Sequence, residues 1–506
     1  MQLKVRQNKR LTVISAKPGE NLLSVLRRDE FLVAAPCGGV GTCGKCTVKI
    51  GGEVCLACQT IVDAHMDGKE MYLANDENAF DVLNLYKVLR PIVCDRFYAL
   101  DAAFGIAIDI GTTTLAFALL DMRDGTQIAS YSMANSQRVF GADVLSRIDF
   151  ANKGGLVKLC ECIHRDIRQG IMHMLKESSI KNISTVAVVG NITMLHLLLK
   201  LPCDSLGAYP FTPVSVEMRN LRFNDIFGSI ASYNTENCAL FILPSFTKTS
   251  AFIGADIAAG LIACNWCENA KTNLLIDLGT NGEMALFFGS PNEKKILTTS
   301  TAMGPAFEAG NISMGVGSVP GAIAKVSYLP NSNVFSYETI GELAPIGICG
   351  TGVIDIVAQL VIHGLVDESG RLKRGDALTI VNQPNIIFTQ QDISEVQLAK
   401  SAVRSGIEIL LQTANVCYDD IDKVFLSGGF GYKINVENAC ALGLLPPAFA
   451  EKVVSIGNSA LGGCVQALLS RVRESEMLEL VQLAEEISLA NHPSFSDLFM
   501  ENMMMR

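Results

Sequence analysis

The chain has 506 residues, with 41 basic and 51 acidic side chains and a net charge of −10. That length exceeds one hydrophobic core and calls for several domains, and the acidic balance speaks against a nucleic-acid surface. No apolar run approaches the roughly 18 residues that a membrane span needs, and the opening MQLKVRQNKRLTV has no apolar leader segment. The 16 cysteines then fit a cytoplasmic protein with free thiols better than a disulfide framework.

Near the start, LKV and LTVIS read as a strand pair. A Pro18-Gly19 turn follows, then a short helix, ENLLSVLRRD, with Leu22, Leu23, Val25 and Leu26 on its apolar face. Residues 35–60, APCGGVGTCGKCTVKIGGEVCLACQT, gather five cysteines, and TIV after Cys58 suggests a closing strand. The Gly39-x-Gly41-x-x-Gly44 string lacks the preceding strand and following helix of a dinucleotide fingerprint. Two metal readings remain. Cys43-x-x-Cys46 with Cys55-x-x-Cys58 would make two zinc knuckles, leaving Cys37 idle and the glycines unexplained. Alternatively, Cys37-x5-Cys43-x2-Cys46 with a fourth ligand downstream comes close to plant-type iron–sulfur spacing. In that case the glycines at 38, 39, 41 and 44 let backbone wrap a cluster and aim N–H groups at its sulfides.

Residues 76–102 are charged and weakly periodic, as in a linker or docking segment. From Phe104, FGIAIDIGTTTLAFALLD gives strand, turn and strand, and TNLLIDLGTNGEMALFF repeats the unit about 170 residues later, pointing to a duplicated domain. Each copy delivers an aspartate, Asp109 or Asp277, to a tight turn. Gly111, Thr112, Thr113 and Thr114 in the first turn, and Gly279, Thr280, Asn281 and Gly282 in the second, offer N–H groups and hydroxyls to phosphate. The two aspartates can hold Mg²⁺ through its water shell. Ser427, Gly428 and Gly429, continuing into Phe430-Gly431, clear side chains from a surface where adenosine could lie. No GxxxxGK[ST] occurs, which excludes a P-loop. Glu283 and Glu308, placed in glycine-rich loops beside these turns, are candidates to orient an attacking water. A helix at 156–178, the strand TVAVVGN, helices from GICGTG and around 394–416, the strand KVFLS and a closing helix near 476–490 complete an α/β alternation. Cys160, Cys162, Cys264 and Cys267 read as packing thiols and His196 as a satisfied core histidine. The MENMMMR tail reads as a frayed end or a packing plug.

The segments PGENLLSVLRRD and APCGGVGTCGKCTV resemble the β-grasp 2Fe–2S ferredoxins. That resemblance implies Cys37, Cys43, Cys46 and, within LACQT, Cys58 as cluster ligands, with Cys55 an extra thiol. The two aspartate turns followed by SGGFG resemble the ATPases of the actin, sugar-kinase and heat-shock-chaperone superfamily, which clasp ATP and Mg²⁺ between two lobes. Superfamily analogy brings Asn191 into the same cleft. NSQRVFGADVLSRI, VVGNITMLHLLL, TAMGPAFEAGNISMGV, GICGTGVIDIVAQL and VFLSGGFG together resemble the reductive activators of corrinoid proteins, which join a 2Fe–2S ferredoxin domain to such an ATPase.

The expected organisation is an α/β multidomain chain: a β-grasp ferredoxin-like module at 1–75, a linker at 76–102, and a duplicated actin-like fold with lobes at 103–205 and 206–506, the second carrying a C-terminal helix. The resemblance implies ATP-dependent transfer of one electron from the 2Fe–2S cluster to Co(II) cobamide, restoring Co(I) for methyl transfer. The implied partners are a corrinoid protein of a methyltransferase system and a low-potential electron donor, without nucleic acid or membrane; a homodimer is left open. Two rivals remain. One is the activator ATPase of a radical dehydratase, which bridges a 4Fe–4S cluster with cysteines inside the ATPase. The other is a nucleotide-binding sensor with a structural zinc module.

Overall fold

The computed structural model describes residues 1–7, 10–29, 31, 33, 46–51, 53–73, 86–96, 103–141, 143–248, 252–266, 271–290, 293–429 and 434–505. Cys37, Cys43, Cys267, Phe430 and Gly431 lie outside the described residues.

The N-terminal module contains β1 (Gln2–Gln7), β2 (Arg10–Ser15), α1 (Leu22–Arg28), β3 (Thr47–Ile50), β4 (Glu53–Leu56) and β5 (Glu70–Leu73). Its sheet has the order β2-β1-β5-β3-β4. Asn21 starts α1 by accepting the Ser24 N–H, and the helix buries Leu22, Leu23, Val25 and Leu26 against the sheet. The closing strand is β5, parallel to β1, and not TIV. Residues 57–59 form a 3₁₀ turn that carries the chain off β4, so Ile61 keeps only an isolated bridge to Asn21.

The first lobe runs through β6 (Phe104–Ile110), β7 (Thr114–Asp121), β8 (Gln127–Ala134), α2 (Val144–Phe150), α3 (Leu156–Ser178), β9 (Thr185–Gly190), α4 (Ile192–Leu198), β10 (Arg219–Arg222), α5 (Phe223–Phe227), β11 (Ala239–Ile242) and α6 (Ala255–Ala263). Its sheet order is β10-β11-β9-β6-β7-β8. The boundary expected at 205 is therefore too early, because β11 pairs parallel with β9 and β10 continues the same sheet.

The second lobe begins with β12 (Thr272–Leu278), β13 (Gly282–Ser290) and β14 (Glu293–Thr301), the same hairpin as β6–β8. A small sheet of β15 (Ala322–Leu329), β16 (Val334–Thr339) and β17 (Gly347–Ile348) follows, then α7 (Gly350–Ile362), the pair β18 (Ala377–Val381) and β19 (Ile386–Thr389), and α8 (Gln390–Ala414). The chain returns through β20 (Ile421–Ser427), α9 (Val436–Leu442), β21 (Val453–Gly457), α10 (Ser459–Leu469), α11 (Arg471–Leu483), β22 (Ala484–Glu486) and α12 (Phe495–Asn502). The main sheet is β21-β20-β12-β13-β14-β22. The expected closing helix near 476–490 is α11, and it stops at 483 because the next residues pair as β22 along β14. The tail is a plug. Lys400 Nζ binds the Asn502 and Met504 carbonyls at 2.8 and 2.7 Å, and Met505 is buried.

Two helices cross between the lobes. α10 follows a strand of the second sheet yet packs on β6, β7 and β9 of the first, whereas α6 leaves the first sheet and packs between β9 of the first and β12 and β13 of the second. They cross backbone to backbone: a Cβ on Gly463 would lie 1.8 Å from the Ala259 carbonyl oxygen, and one on Gly260 would lie 2.8 Å from Ser459 Oγ. Gly463→Val should accordingly lower stability by about 1–3 kcal/mol or more through overpacking, read as a lower Tm. An unchanged Tm would contradict this crossing.

Residues 86–96, inside the segment expected to link the modules, dock on this crossing. Tyr86 bridges Gly457, Lys87 N–H donates to the Ile456 carbonyl at 2.9 Å, and Tyr86 stands against Gly462. Arg90 reaches all three nearby helices, donating to Asn265 Oδ1 past the end of α6 (2.6 Å), to Gln466 Oε1 on α10 (3.1 Å) and to Glu476 Oε2 on α11 (2.8 Å). Asp95 caps α11, accepting the Arg471 N–H at 2.6 Å. Among the described residues no helix is long and apolar enough to cross a membrane.

Candidate functional site: a carboxylate-lined cleft

The two duplicated hairpins face each other across a cleft lined by residues of both. Each turn is closed by its own backbone: Gly111 N–H donates to the Thr114 carbonyl at 2.9 Å and Gly279 N–H to the Asn281 carbonyl at 3.0 Å. At Gly111 a Cβ would stand 2.7 Å from that same Thr114 oxygen, so the turn requires glycine. The turns meet hydroxyl to hydroxyl, Thr113 Oγ1 lying 3.2 Å from Thr280 Oγ1, and Thr280 donates onward to Glu308 Oε2 at 3.1 Å.

Asp109, at the end of β6, accepts a hydrogen bond from Asn458 Nδ2 at 2.9 Å. Asp277, its counterpart on β12, accepts from Ser427 Oγ at 2.6 Å, and Ser427 in turn contacts Ser459 Oγ at 2.7 Å. The copies are asymmetric at the neighbouring position: Asp109 pairs in register with Ala116, whereas Asp277 pairs with Glu283. Glu283 therefore stands on strand β13 and not in a glycine-rich loop. Glu308 ends a short 3₁₀ turn at Ala306–Glu308.

Asn191 caps α4 through the Met194 N–H at 2.9 Å and donates to Thr112 Oγ1 at 3.1 Å. Gly428, at φ +102°, presses against the Leu278 carbonyl where any Cβ would come within 2.2 Å, and with Gly429 it leaves that wall bare. Two expected contacts stand back from the wall. Ser427 is buried behind Asp277, and Gly282 begins β13, where a Cβ would come within 2.9 Å of Thr301 Cγ2. Gly282 thus serves the strand pairing.

Sequence reasoning missed two polar members of the cleft, Asp256 in the first turn of α6 and Asn458 capping α10. A signal existed for Asn458, because VVGNIT and SIGNSA are the same strand–glycine–asparagine–helix phrase. Asp256 sits two residues after Gly254, which lets α6 start against the backbone of Asn191, 2.5 Å from any added Cβ.

Five carboxyls thus share the cleft. Burial drives Asp109 up to about 7, with the charges of Asp256 and Asp277 adding to it and the Asn458 bond opposing. Asp256 is likewise pushed up to about 7, chiefly by burial. Burial also raises Asp277 and Glu308, each partly offset by hydroxyl donors, and raises Glu283 well above the carboxylate range with the aspartates reinforcing it. Such a donor set favours a cation.

In the N-terminal module the β3–β4 hairpin returns the chain so that Thr47 faces Leu56, Ala57 N–H donates to the Cys46 carbonyl at 2.8 Å, and Cys58 N–H donates to Cys46 Sγ at 3.4 Å. Cys46 and Cys58 are brought together and buried. Cys55 lies on β4 opposite Val48. Thiols in contact with a backbone N–H donor suit a cluster-binding corner.

Residues 271–506 match the family described as the C-terminal domain of RACo, the ASKHA domain; residues 104–269 match the RACo middle region; and residues 5–74 match the 2Fe–2S iron–sulfur cluster binding domain. The corrinoid activation enzyme RamQ of Eubacterium limosum is 34% identical over 430 residues, covering 79% of this chain and 70% of that protein. The Co(II) methylated amine-specific corrinoid protein reductase of Methanosarcina barkeri is 26% identical over 427 residues, covering 78% and 76%. A solved structure, a reductive activator for corrinoid, iron–sulfur protein, superposes with a TM-score of 0.71 at 24% identity over 99% of this chain and 98% of that one, so the fold is shared end to end. The chain belongs to the family of reductive activators of corrinoid proteins, with a 2Fe–2S ferredoxin-like module joined to a duplicated actin-like ATPase fold.

Proposed function

We propose that this protein uses ATP to drive one-electron reduction of the Co(II) cobamide of a partner corrinoid protein, regenerating Co(I) for methyl transfer. The observation that carries this function is the junction of the two parts. The segment leaving the ferredoxin-like module bridges Gly457, one residue before Asn458, and clamps both crossing helices through Arg90. Asn458 holds Asp109 across the cleft, and Asp256 stands on the other crossing helix. Closure of the lobes on a ligand would move the ground on which the module's linker is anchored, and a ligand shifts such an equilibrium by its differential affinity for the two states.

Cys37, Cys43, Cys46 and Cys58 would hold a 2Fe–2S cluster. It would supply a one-electron carrier, at roughly −400 mV in plant-type settings, reloaded by a low-potential donor. Asp109 and Asp277 would hold the Mg²⁺ of Mg–ATP through its waters. Mg²⁺ keeps much of its hydration shell, so few direct carboxylates would be needed. Thr112, Thr113, Thr114, Thr280 and Asn281 present groups to phosphate, Gly428 and Gly429 leave room for adenosine, Glu283 or Glu308 would orient the attacking water, and Asn191 fixes the Thr112 hydroxyl.

Among the described cysteines of the lobes, Cys160, Cys162, Cys203, Cys238, Cys264, Cys349 and Cys464 are buried and distributed through the two cores, and only Cys440, half-buried on α9, and Cys417, exposed after α8, reach the surface, which speaks against a cluster bridged by the ATPase itself. Iron, sulfide and zinc analysis of anaerobically prepared protein, with its visible spectrum, separates the redox function from a zinc-module sensor. Two irons and two sulfides per chain with charge-transfer bands are expected. Zinc without those bands would overturn the proposal.

A further inference from the structure

We infer that Arg147 is a positioning residue for the first phosphate turn, setting its N–H groups toward the cleft and placing a buried positive charge behind it. This inference rests on the nucleotide site proposed above. Three successive carbonyls of the turn are held from behind. Asn135 Nδ2 donates to the Gly111 oxygen at 2.9 Å, Arg147 Nη2 to the Thr112 oxygen at 2.5 Å, and the Asn135 backbone N–H to the Thr113 oxygen at 2.9 Å. A trans peptide carries its C=O and the next N–H on opposite sides. Holding the Gly111 and Thr112 carbonyls away from the cleft therefore turns the Thr112 and Thr113 N–H groups into it, the arrangement that receives a phosphate oxygen.

The guanidinium is fully buried, and its other hydrogen bonds go to neutral groups: the Gly141 carbonyl at 2.9 Å, Gln137 Oε1 at 3.4 Å and Met194 Sδ at 3.2 Å. The nearest acids are committed elsewhere, Asp143 capping α2 through the Ser146 N–H and Asp166 accepting the Ser136 N–H at 2.8 Å. Burying a guanidinium without a bonded carboxylate is costly, and burial pulls its pKa down to about 9. A neutral glutamine could donate to buried carbonyls in a purely structural role without the cost of a buried charge. A cation there favours a polyanion on the far side of the turn, through a protein layer where charge is screened less than in water.

The test is the affinity of the full-length protein for MgATP and for adenosine, measured by calorimetry on wild type, Arg147→Met and Arg147→Lys, with Tm as the folding control. Arg147→Met should weaken MgATP roughly 10- to 100-fold, the range for losing a charge-assisted hydrogen bond, and leave adenosine within about twofold. Arg147→Lys keeps the charge and loses the fork, and should fall between the two. Equal weakening of both ligands, or none, would overturn the assignment. If Arg147→Met does not fold, the Lys variant decides alone: an ATP-to-adenosine preference equal to wild type would overturn it. Wild type that binds adenosine but not MgATP would instead refute the phosphate site itself.

Discussion

Cys58→Ser is expected to strip the iron from the N-terminal module, while Cys55→Ser leaves it in place. Only eleven residues separate Cys46 from Cys58, and Cys55 lies among them as a chemically plausible substitute. The structure accounts for the short spacing. Gly51 adopts a φ of +58°, which an L-residue resists, and so permits a tight β3–β4 hairpin. The hairpin returns the chain in a register where Cys58 N–H meets Cys46 Sγ. Cys55 is committed to the ladder opposite Val48, three residues short of that corner. In the proposed ligand set, losing one thiolate of four would remove a bond that the serine hydroxyl does not replace at comparable strength. Iron content and the visible bands should collapse in Cys58→Ser and stay at wild-type levels in Cys55→Ser, with MgATP affinity unchanged in both. The opposite pattern would reassign the fourth ligand.

Asp277→Asn should show the reverse phenotype, an intact cluster with ATP hydrolysis reduced about 10²- to 10³-fold, the range for removing one preorganised electrostatic group. The amide keeps the shape and can still accept the 2.6 Å hydrogen bond from Ser427. It removes one charge from a cleft where burial raises all five carboxyls and the Asp277 charge adds to the rise at the other four. The nucleotide-free protein should therefore be as stable as wild type or more so, with an equal or higher Tm, as when function holds a strained arrangement in place. A lower Tm together with an intact hydrolysis rate would make Asp277 a structural residue.

The members of the cleft that were legible in the sequence are those carried by local chemistry. Asp109 and Asp277 each end an apolar strand before a Gly/Thr turn, and such hairpins look alike wherever they lie in the chain. Asp256 escaped because its place in the cleft arises only where α6 meets both sheets, a property of topology that no window of sequence contains, whereas the glycine–asparagine phrase at Asn458 gains its meaning only when α10 crosses to the first sheet. The boundary at 205 failed for a related reason. β10 and β11 are four-residue strands, RNLR and ALFI, too short for a periodic signal; β11 joins the first sheet by pairing back to β9 across a long connection, and β10 adds on to β11. NSQRVFGADVLSRI was visible as a motif but silent about its role until Asn135 and Arg147 were found holding the back of the first Gly/Thr turn. Charged residues 86–96 likewise read as linker, because Arg90 finds its partners 172 to 386 residues away.

Central to this account is the claim that one chain couples a nucleotide cleft to an electron carrier through its crossing helices. The most direct test is anaerobic: protein with its cluster reduced is mixed with a Co(II) corrinoid protein, and cobalt reduction is followed optically with and without MgATP. Formation of Co(I) that depends on MgATP, and that disappears in Asp277→Asn and in Cys58→Ser alike, is the predicted result. Co(I) formed at the same rate and to the same extent without nucleotide would contradict the account.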